Sequence, residues 1–266
     1  MTNIRASEKP KLKNPVLIEG LPGVGNIGRV AVGYMVEQMG AKKFAELYSR
    51  HFFPFVVLHD RNQVHLLKNE FYYYKAKKKG QRDLIFLVGD CQSLDPKGHY
   101  ETMEKVLEFV EKFGVKEVFT IGGIATGEAE KSPKALGAVT DKELVTKYQK
   151  FGVEFTAGDK IGYIVGAAGL LLGLGKERGM KGVCLLGETS GFPIVTDPKG
   201  AEVVLNSLTK ILGVKLDMSK LDQKVKEMED FIKKVEDLQK KALTEIAKDQ
   251  PQAQQQKTRE QTRYIG

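Results

Sequence analysis

Val16-Leu17-Ile18-Glu19-Gly20-Leu21-Pro22-Gly23-Val24-Gly25-Asn26-Ile27-Gly28 is the stretch that decides the fold. Val16 to Glu19 is a short apolar run closed by a glycine-rich turn, and apolar residues then recur at helical spacing from Ile27 to Met39, up to Gly40. The stretch therefore reads as strand, loop, helix. Gly23, Gly25 and Gly28 match the dinucleotide fingerprint, in which amides at the helix start hold a phosphate. That fingerprint also asks for an acid past the end of the second strand, about 20 residues on. Glu46 stands near that distance but inside a short strand, Phe44 to Leu47. Gly20 and Gly25 have P-loop spacing, yet Asn26-Ile27 replaces the Lys and Ser/Thr pair. The plainer reading is that these glycines let the turn close and the helix pack tightly.

Outward from this unit the pattern repeats. From Phe52 to Lys77, β-branched and aromatic residues punctuated by turn signals predict a meander of short antiparallel strands at one sheet edge. Leu84–Val88, Val118–Ile121 and Val183–Leu186 are continuous apolar runs, as strands covered on both faces require. Helices are expected over about His99–Phe113, before Phe151, and in the glycine-rich segment from Ile161. Such alternation argues for an α/β domain with a mostly parallel sheet between helices. Its functional loops fall at strand carboxyl ends: Gly20–Gly28, Gly89–Ser93, Gly122–Glu128 and Gly187–Phe192.

With 266 residues, 41% hydrophobic and 29% charged, the chain holds one large domain or two small ones, and disorder throughout is excluded. Two cysteines, Cys91 and Cys184, both in apolar runs, read as buried thiols of a reducing compartment, and a cytoplasmic location is expected. Met1 to Pro15 is polar and basic, unlike a signal peptide, and Ile161–Gly175 is too short for the ~20 residues of a bilayer span. His51, His59, His65 and His99 are scattered without supporting carboxylates, so neither metal nor cofactor is expected. Ser190 lacks the nucleophile elbow, no histidine follows it, and Asp90, Glu128 and Glu188 read first as loop acids. No catalytic residue is assigned. The net charge is +8. Its densest cluster, Lys75, Lys77, Lys78, Lys79 and Arg82, surrounds a glycine as a solvated hairpin would, so neither nucleic acid nor membrane is an expected partner.

After Gly213 the composition shifts. Leu221, Val225, Met228, Ile232, Val235, Gln239, Ala242 and Ile246 follow alternating four- and three-residue steps, a heptad seam with balanced charges on the other faces. A seam needs a partner surface, and a bundle with other copies of the chain is favoured over folding back on the body. Asp249–Gly266 holds Pro251 and a run of glutamines, and reads as a flexible tail that ends in Tyr264, Ile265 and Gly266. The expected organisation is a basic arm (1–14), an α/β body (15–213), an oligomerisation helix (214–249) and the tail (250–266).

The opening Glu19–Gly28 block, the Gly122-Gly123 turn and above all Leu186-Gly187-Glu188-Thr189-Ser190-Gly191 followed by Asp197-Pro198-Lys199 and Ala201 resemble the archaeal branch of the proteasome assembly chaperone 2 family. The resemblance covers roughly residues 15–213. It implies a three-layer α/β/α domain similar to nucleoside phosphorylases without an established catalytic site, and a non-enzymatic role as a proteasome-binding assembly chaperone or activator. Some relatives end in a hydrophobic-Tyr-any tripeptide that inserts between α-subunits of the core particle. Here the order is Arg263-Tyr264-Ile265-Gly266, so Tyr264, Ile265 and Gly266 are the expected contacts in a shifted register. The expected partners are the chain itself, as a homo-oligomer such as a tetramer or pentamer, and the core-particle α-subunits or another family member. The alternative is an enzyme, a transferase or ligase, that holds a nucleotide or phosphate ligand on Gly23, Gly25 and Gly28.

Overall fold

Two identical tetrapeptides, Asp95-Pro96-Lys97-Gly98 and Asp197-Pro198-Lys199-Gly200, each launch a long helix by the same means. The aspartate accepts from the glycine N–H three residues on, at 2.8 Å and 2.9 Å, and proline occupies the first helical position. The computed structural model describes residues 2–58, 62–78, 80–127, 132–156, 162–190 and 196–249, the side chains of 229–231 and 246–249 excepted.

Along the chain, β1 (Asn3–Ala6) and β2 (Val16–Gly20) precede α1 (Ile27–Gln38), β3 (Lys42–Tyr48), β4 (Val56–Leu58), β5 (Val64–Leu66), β6 (Asn69–Tyr74) and β7 (Leu84–Gly89). Then come α2 (Pro96–Glu111), β8 (Glu117–Ala125), β9 (Ala135–Val139), α3 (Glu143–Tyr148), β10 (Val153–Glu154) and α4 (Gly166–Glu177). β11 (Lys181–Thr189), α5 (Pro198–Leu212) and α6 (Leu221–Asp249) complete the order. The main sheet runs β1-β3-β6-β7-β2-β8-β11-β9-β10. Its four central strands, β7, β2, β8 and β11, are mutually parallel. The flank β1-β3-β6-β7 is antiparallel, and β9 runs antiparallel to β11.

The sheet is therefore mixed, and the expectation of a mostly parallel one is corrected: parallel pairing joins the four central strands, where helices cover both faces, and recurs between β9 and the two-residue β10 at the edge. The expected edge meander also divides. β6 enters the sheet interior, β4 and β5 pair as a separate ribbon, and the edge belongs to β1, formed from the basic arm. Val56, Leu58, Val64 and Leu66 of that ribbon stand 42%, 51%, 70% and 56% exposed.

Two cores sandwich the sheet. Val16, Ile18, Phe119 and Val183 pack beneath α1 and α5, whereas Leu17, Ile85, Leu87 and Val118 pack beneath α2 and α4. This gives the three layers expected. α6 joins them. Its Leu221 and Val225 belong to the first core and its Val235 to the second, so the helix crosses the carboxyl end of the sheet from one face to the other. Leu221, Val225, Ile232 and Val235 are 1–3% exposed. Each such side chain contributes about 1.5–3 kcal/mol on burial. Lys224 pairs with Glu37 of α1 at 2.9 Å, and Tyr34 donates to the Asp217 carbonyl.

Candidate functional site

The parallel strands end at different heights, and the gap they leave is a cleft of about 870 Å³. Its floor comes from Glu19 and the Leu21–Val24 turn, its walls from Asp90–Leu94 after β7 and Ile121–Ala125 at the end of β8. Tyr163–Gly166 before α4 and Val235, Glu236, Gln239, Lys240 and Leu243 of α6 close it. Three of the four loops expected at strand carboxyl ends therefore meet, as the topology of open α/β sheets dictates. From the fourth, β11 contributes Leu186, while Glu188 is buried beside β9 and accepts from the Lys134 N–H at 3.0 Å.

Glu19 occupies the point where β2 leaves the sheet. It is 1% exposed, and its Oε1 accepts from the Leu21 N–H at 2.9 Å. Burial pushes its carboxyl up to about 8, against the pull of backbone hydrogen bonds from Leu21 and Ile121. Arg29, in the first turn of α1, lies 3.9 Å from Asp90. Burial disfavours its charge, and the Asp90 and Glu236 carboxylates oppose that effect. Asp90 Oδ2 meets His65 Nε2 at 2.6 Å and accepts from the Lys68 N–H at 3.1 Å. Gln92 spans the cleft mouth: its Nε2 donates to the Pro22 carbonyl at 2.6 Å and its Oε1 accepts from the Ala167 N–H at 2.8 Å.

The glycines of the opening motif divide by role. A Cβ at Gly20 would lie 2.2 Å from the Gly28 carbonyl oxygen, and one at Gly28 would lie 2.4 Å from that of Ile121. Only hydrogen fits there, because α1 packs directly on β2 and β8. Gly25 has φ +62° and faces Thr189 and Asp197, whose N–H donates to its carbonyl at 3.0 Å. Gly23 lines the cleft with nothing nearer a Cβ than Gln92 Nε2 at 3.9 Å. Glu46 lies on β3, separated from β2 by β6 and β7, and is held at about 2 by Lys43 and Lys68. It is far from the position a ribose-binding acid takes beside this turn.

Of the seam residues, Leu221, Val225, Ile232 and Val235 turn onto the chain's own body. Met228 is half-buried against Gly33, its Cε 3.4 Å from where a Cβ would stand. Ala242 is half-buried and neighbouring Leu243 is 50% exposed. Folding back on the body accounts for the first half of the seam, because Leu221, Val225 and Val235 join the two cores that sandwich the sheet. The Ile246 side chain, His59, Lys79, Glu128, Gly191, Phe192, and the tail with Tyr264, Ile265 and Gly266 lie outside the described residues.

The thiols of Cys91 and Cys184 are free, buried and pushed up by burial, Cys184 to about 12, which makes them poor nucleophiles. Among the described residues no group of three His, Cys, Asp or Glu side chains is placed to hold a metal, and no helix is long and apolar enough to cross a membrane. Sequence reasoning missed Glu19, Asn26 and Glu236. An acid inside the apolar run Val16–Gly20 was the available signal.

The PAC2 family model matches residues 17–236. An uncharacterized protein of Methanocaldococcus jannaschii is 35% identical over 255 residues, covering 96% of this chain and 93% of that one. Among solved structures, Pyrococcus furiosus PbaB, described as an archaeal proteasome activator, is similar with a TM-score of 0.80 and 44% identity, over 88% of this chain and 98% of its own. Pyrococcus furiosus PbaA, described as an archaeal homolog of proteasome-assembly chaperone, superposes with a TM-score of 0.71 at 23% identity, covering 90% and 100% of the two chains. At that identity the likeness is one of fold.

Proposed function

The chain belongs to the PAC2 family, and from that premise we propose that it is a non-enzymatic factor that binds the proteasome core particle as an activator or assembly-chaperone homologue. The observation that carries this reading is the 44% identity with PbaB across nearly the whole of that protein. In the finer reading, the protein is a homo-oligomer that presents several copies of segment 250–266 to the α-subunit ring. Tyr264 and Ile265 supply an aromatic and an aliphatic anchor, and Gly266 follows. Linked weak contacts gain avidity through effective concentration.

The buried half of the seam, Leu221 to Val235, holds α6 in place on the body. Association is assigned to the surface beyond it: Ala242 and Leu243 toward the end of α6, together with the β4–β5 ribbon. Four exposed aliphatic side chains on one short ribbon form a patch of the kind that marks an interaction surface. α6 reaches that ribbon through Lys234, which donates to the Leu58 carbonyl.

The test is co-sedimentation with purified 20S core particle, with hydrolysis of a fluorogenic peptide as second readout, for the full chain and for a chain ending at Asp249. The full chain binds and the shortened one does not. Equal binding by both overturns the tail mechanism, and binding by neither overturns the proteasome assignment.

A further inference from the structure

The positive charge of the protein is gathered at one end. Connections 7–15, 39–41, 75–83, 112–116, 140–142, 178–180 and 213–220 lie at the amino end of the parallel strands, opposite the cleft. Leaving Lys79 aside, they hold thirteen Lys and Arg against four Asp and Glu, a net +9 where the whole chain carries +8. The rest of the molecule is close to neutral.

Three of these segments are drawn together by hydrogen bonds. Asp83, 8% exposed, accepts from the Lys13 N–H at 2.6 Å and the Ala76 N–H at 2.8 Å, which sets the arm beside the β6–β7 turn. Gln81 Nε2 donates to the Gly213 carbonyl at 2.7 Å and adds the α5–α6 connection. Lys11, Lys13, Lys75, Lys77, Lys78 and Lys215 are exposed around these pins, and among the described residues none of them pairs with a carboxylate. Nearby acids are already engaged: Asp83 by the two amides, Glu117 by Arg82 and Lys147, Asp217 by Ser219. Gathered like charges repel, so the cluster costs stability until an opposite charge meets it.

The side chains on this face sort the candidate anions. Its arginines, planar forks suited to phosphate, are spent within the protein: Arg82 on the Asn14 carbonyl and Glu117, Arg178 on Glu111 at 3.1 Å. The β6 aromatics offer no stacking platform for bases. Tyr72 donates to Glu70, Tyr73 packs against the core, and the Lys77 ammonium covers Tyr74, 5.7 Å from its ring centre. Among the described residues, no exposed large aliphatic or aromatic side chain lies in these connections, so nothing here inserts into a bilayer. What remains is a set of ammonium point charges on flexible stems, which suits carboxylates.

We propose that this face is the docking surface for an acidic segment of a partner protein, a run of Asp and Glu whose carboxylates pair with the lysines of the arm, the β6–β7 turn and the α5–α6 connection. Such contacts steer association and fix orientation more than they supply affinity. The face stands at the other end of the sheet from Val235, Gln239 and Leu243 of α6, which line the cleft, so its occupant leaves that end of the molecule open. This assignment does not depend on the proteasome reading.

The experiment is a fluorescence-anisotropy titration of the full chain against labelled poly-L-glutamate, with a DNA duplex, oligothymidine and vesicles of phosphatidylcholine and phosphatidylserine as unlabelled competitors. Poly-L-glutamate binds at about 50 mM salt, and its Kd rises about tenfold by about 300 mM as screening shortens the reach of each charge. Lys75→Glu, Lys77→Glu and Lys78→Glu together weaken it about tenfold or more, and so do Lys11→Glu, Lys13→Glu and Lys215→Glu together. Lys97→Glu, Lys199→Glu and Lys226→Glu together make the same change of net charge on exposed lysines elsewhere and weaken it less than about twofold. Unchanged circular dichroism and a cooperative melt show that the variants are folded.

Four outcomes overturn the proposal. One is no binding of poly-L-glutamate at the lower salt. A second is equal weakening by the variants elsewhere, which makes the effect one of net charge. A third is loss in only one of the two sets on this face, which reduces it to a single charged loop. The fourth is tighter binding of the duplex, oligothymidine or the vesicles, lost in the same variants, which makes the face a nucleic-acid or membrane surface instead.

Discussion

Asn26, in the turn that opens α1, donates from Nδ2 to Oε1 of Glu236 on α6 at 2.7 Å, across 210 residues of sequence. The bond ties the glycine-rich loop to the helix that precedes the tail. Asn26 is suited to both tasks, since it adopts φ +50° with little strain and carries a donor there. Asn26→Gly keeps the backbone and removes the amide. Its expected cost is about 1 kcal/mol, with faster amide exchange and proteolysis confined to residues 232–249. Loosening of the whole sheet would contradict this local role.

The seam divides into an inner and an outer part that mutation separates. Val225→Ala and Leu221→Ala remove side chains 2% and 3% exposed within the core under α1. Each is expected to destabilise the protein by about 2–4 kcal/mol in a denaturant melt. Leu243→Lys, at a position 50% exposed, leaves the melt within about 0.5 kcal/mol. A large stability loss at Leu243 with none at Val225 would show the helix packed by its other face.

The β4–β5 ribbon gives a prediction about mass. Val64→Lys with Leu66→Lys places charge on side chains 70% and 56% exposed, and the folded monomer accommodates it. Light scattering is expected to report smaller particles at an unaltered melting temperature. An unchanged mass removes the ribbon from the association surface.

The opening glycines separate packing from ligand binding. Gly28→Ala drives a methyl to 2.4 Å from a backbone oxygen that has nowhere to go, and α1 must lift. The loss expected is about 2 kcal/mol or more. Gly23→Ala meets nothing closer than 3.9 Å and changes stability within about 0.5 kcal/mol. If Gly23→Ala proves as damaging as Gly28→Ala, packing does not explain the motif.

Glu19 makes stability depend on pH in a defined direction. Its carboxyl titrates near 8 when folded, against an ordinary value of 4.5, so between these limits the folded protein binds the extra proton. Stability relative to Glu19→Gln is full below pH 4.5 and falls as pH rises toward 8, by up to about 1.4 kcal/mol per pH unit. Parallel melts of the two proteins across this range check the sign, and a difference that grows in the parent's favour with rising pH would refute it.

Much of the centre of the fold was legible because its signals are local. Val16–Glu19, Leu84–Val88, Val118–Ile121 and Val183–Leu186 are apolar on both faces, and all four fall within the parallel strands. The cleft was legible to the same extent, since strand carboxyl ends follow from topology. β9, with the sequence Ala135-Leu136-Gly137-Ala138-Val139, was not. Its small residues give little strand signal, and Gly137 is required because a Cβ would lie 2.5 Å from the Phe155 ring. Nor was the docking of α6. A heptad stripe reports that one face is apolar and says nothing about which surface covers it. Glu19 and Glu236 line one cleft that only the folded chain assembles.

The two rims of the main sheet are very short: β1 has four residues, and β10, at the far side, has two. Neither offers a row of free amides and carbonyls long enough to template another strand. The homo-oligomer proposed above would therefore not grow by one copy continuing another's pleat. It would be held by side chains, in an association that surface charge and salt tune and that comes apart without disturbing the backbone ladder of any subunit.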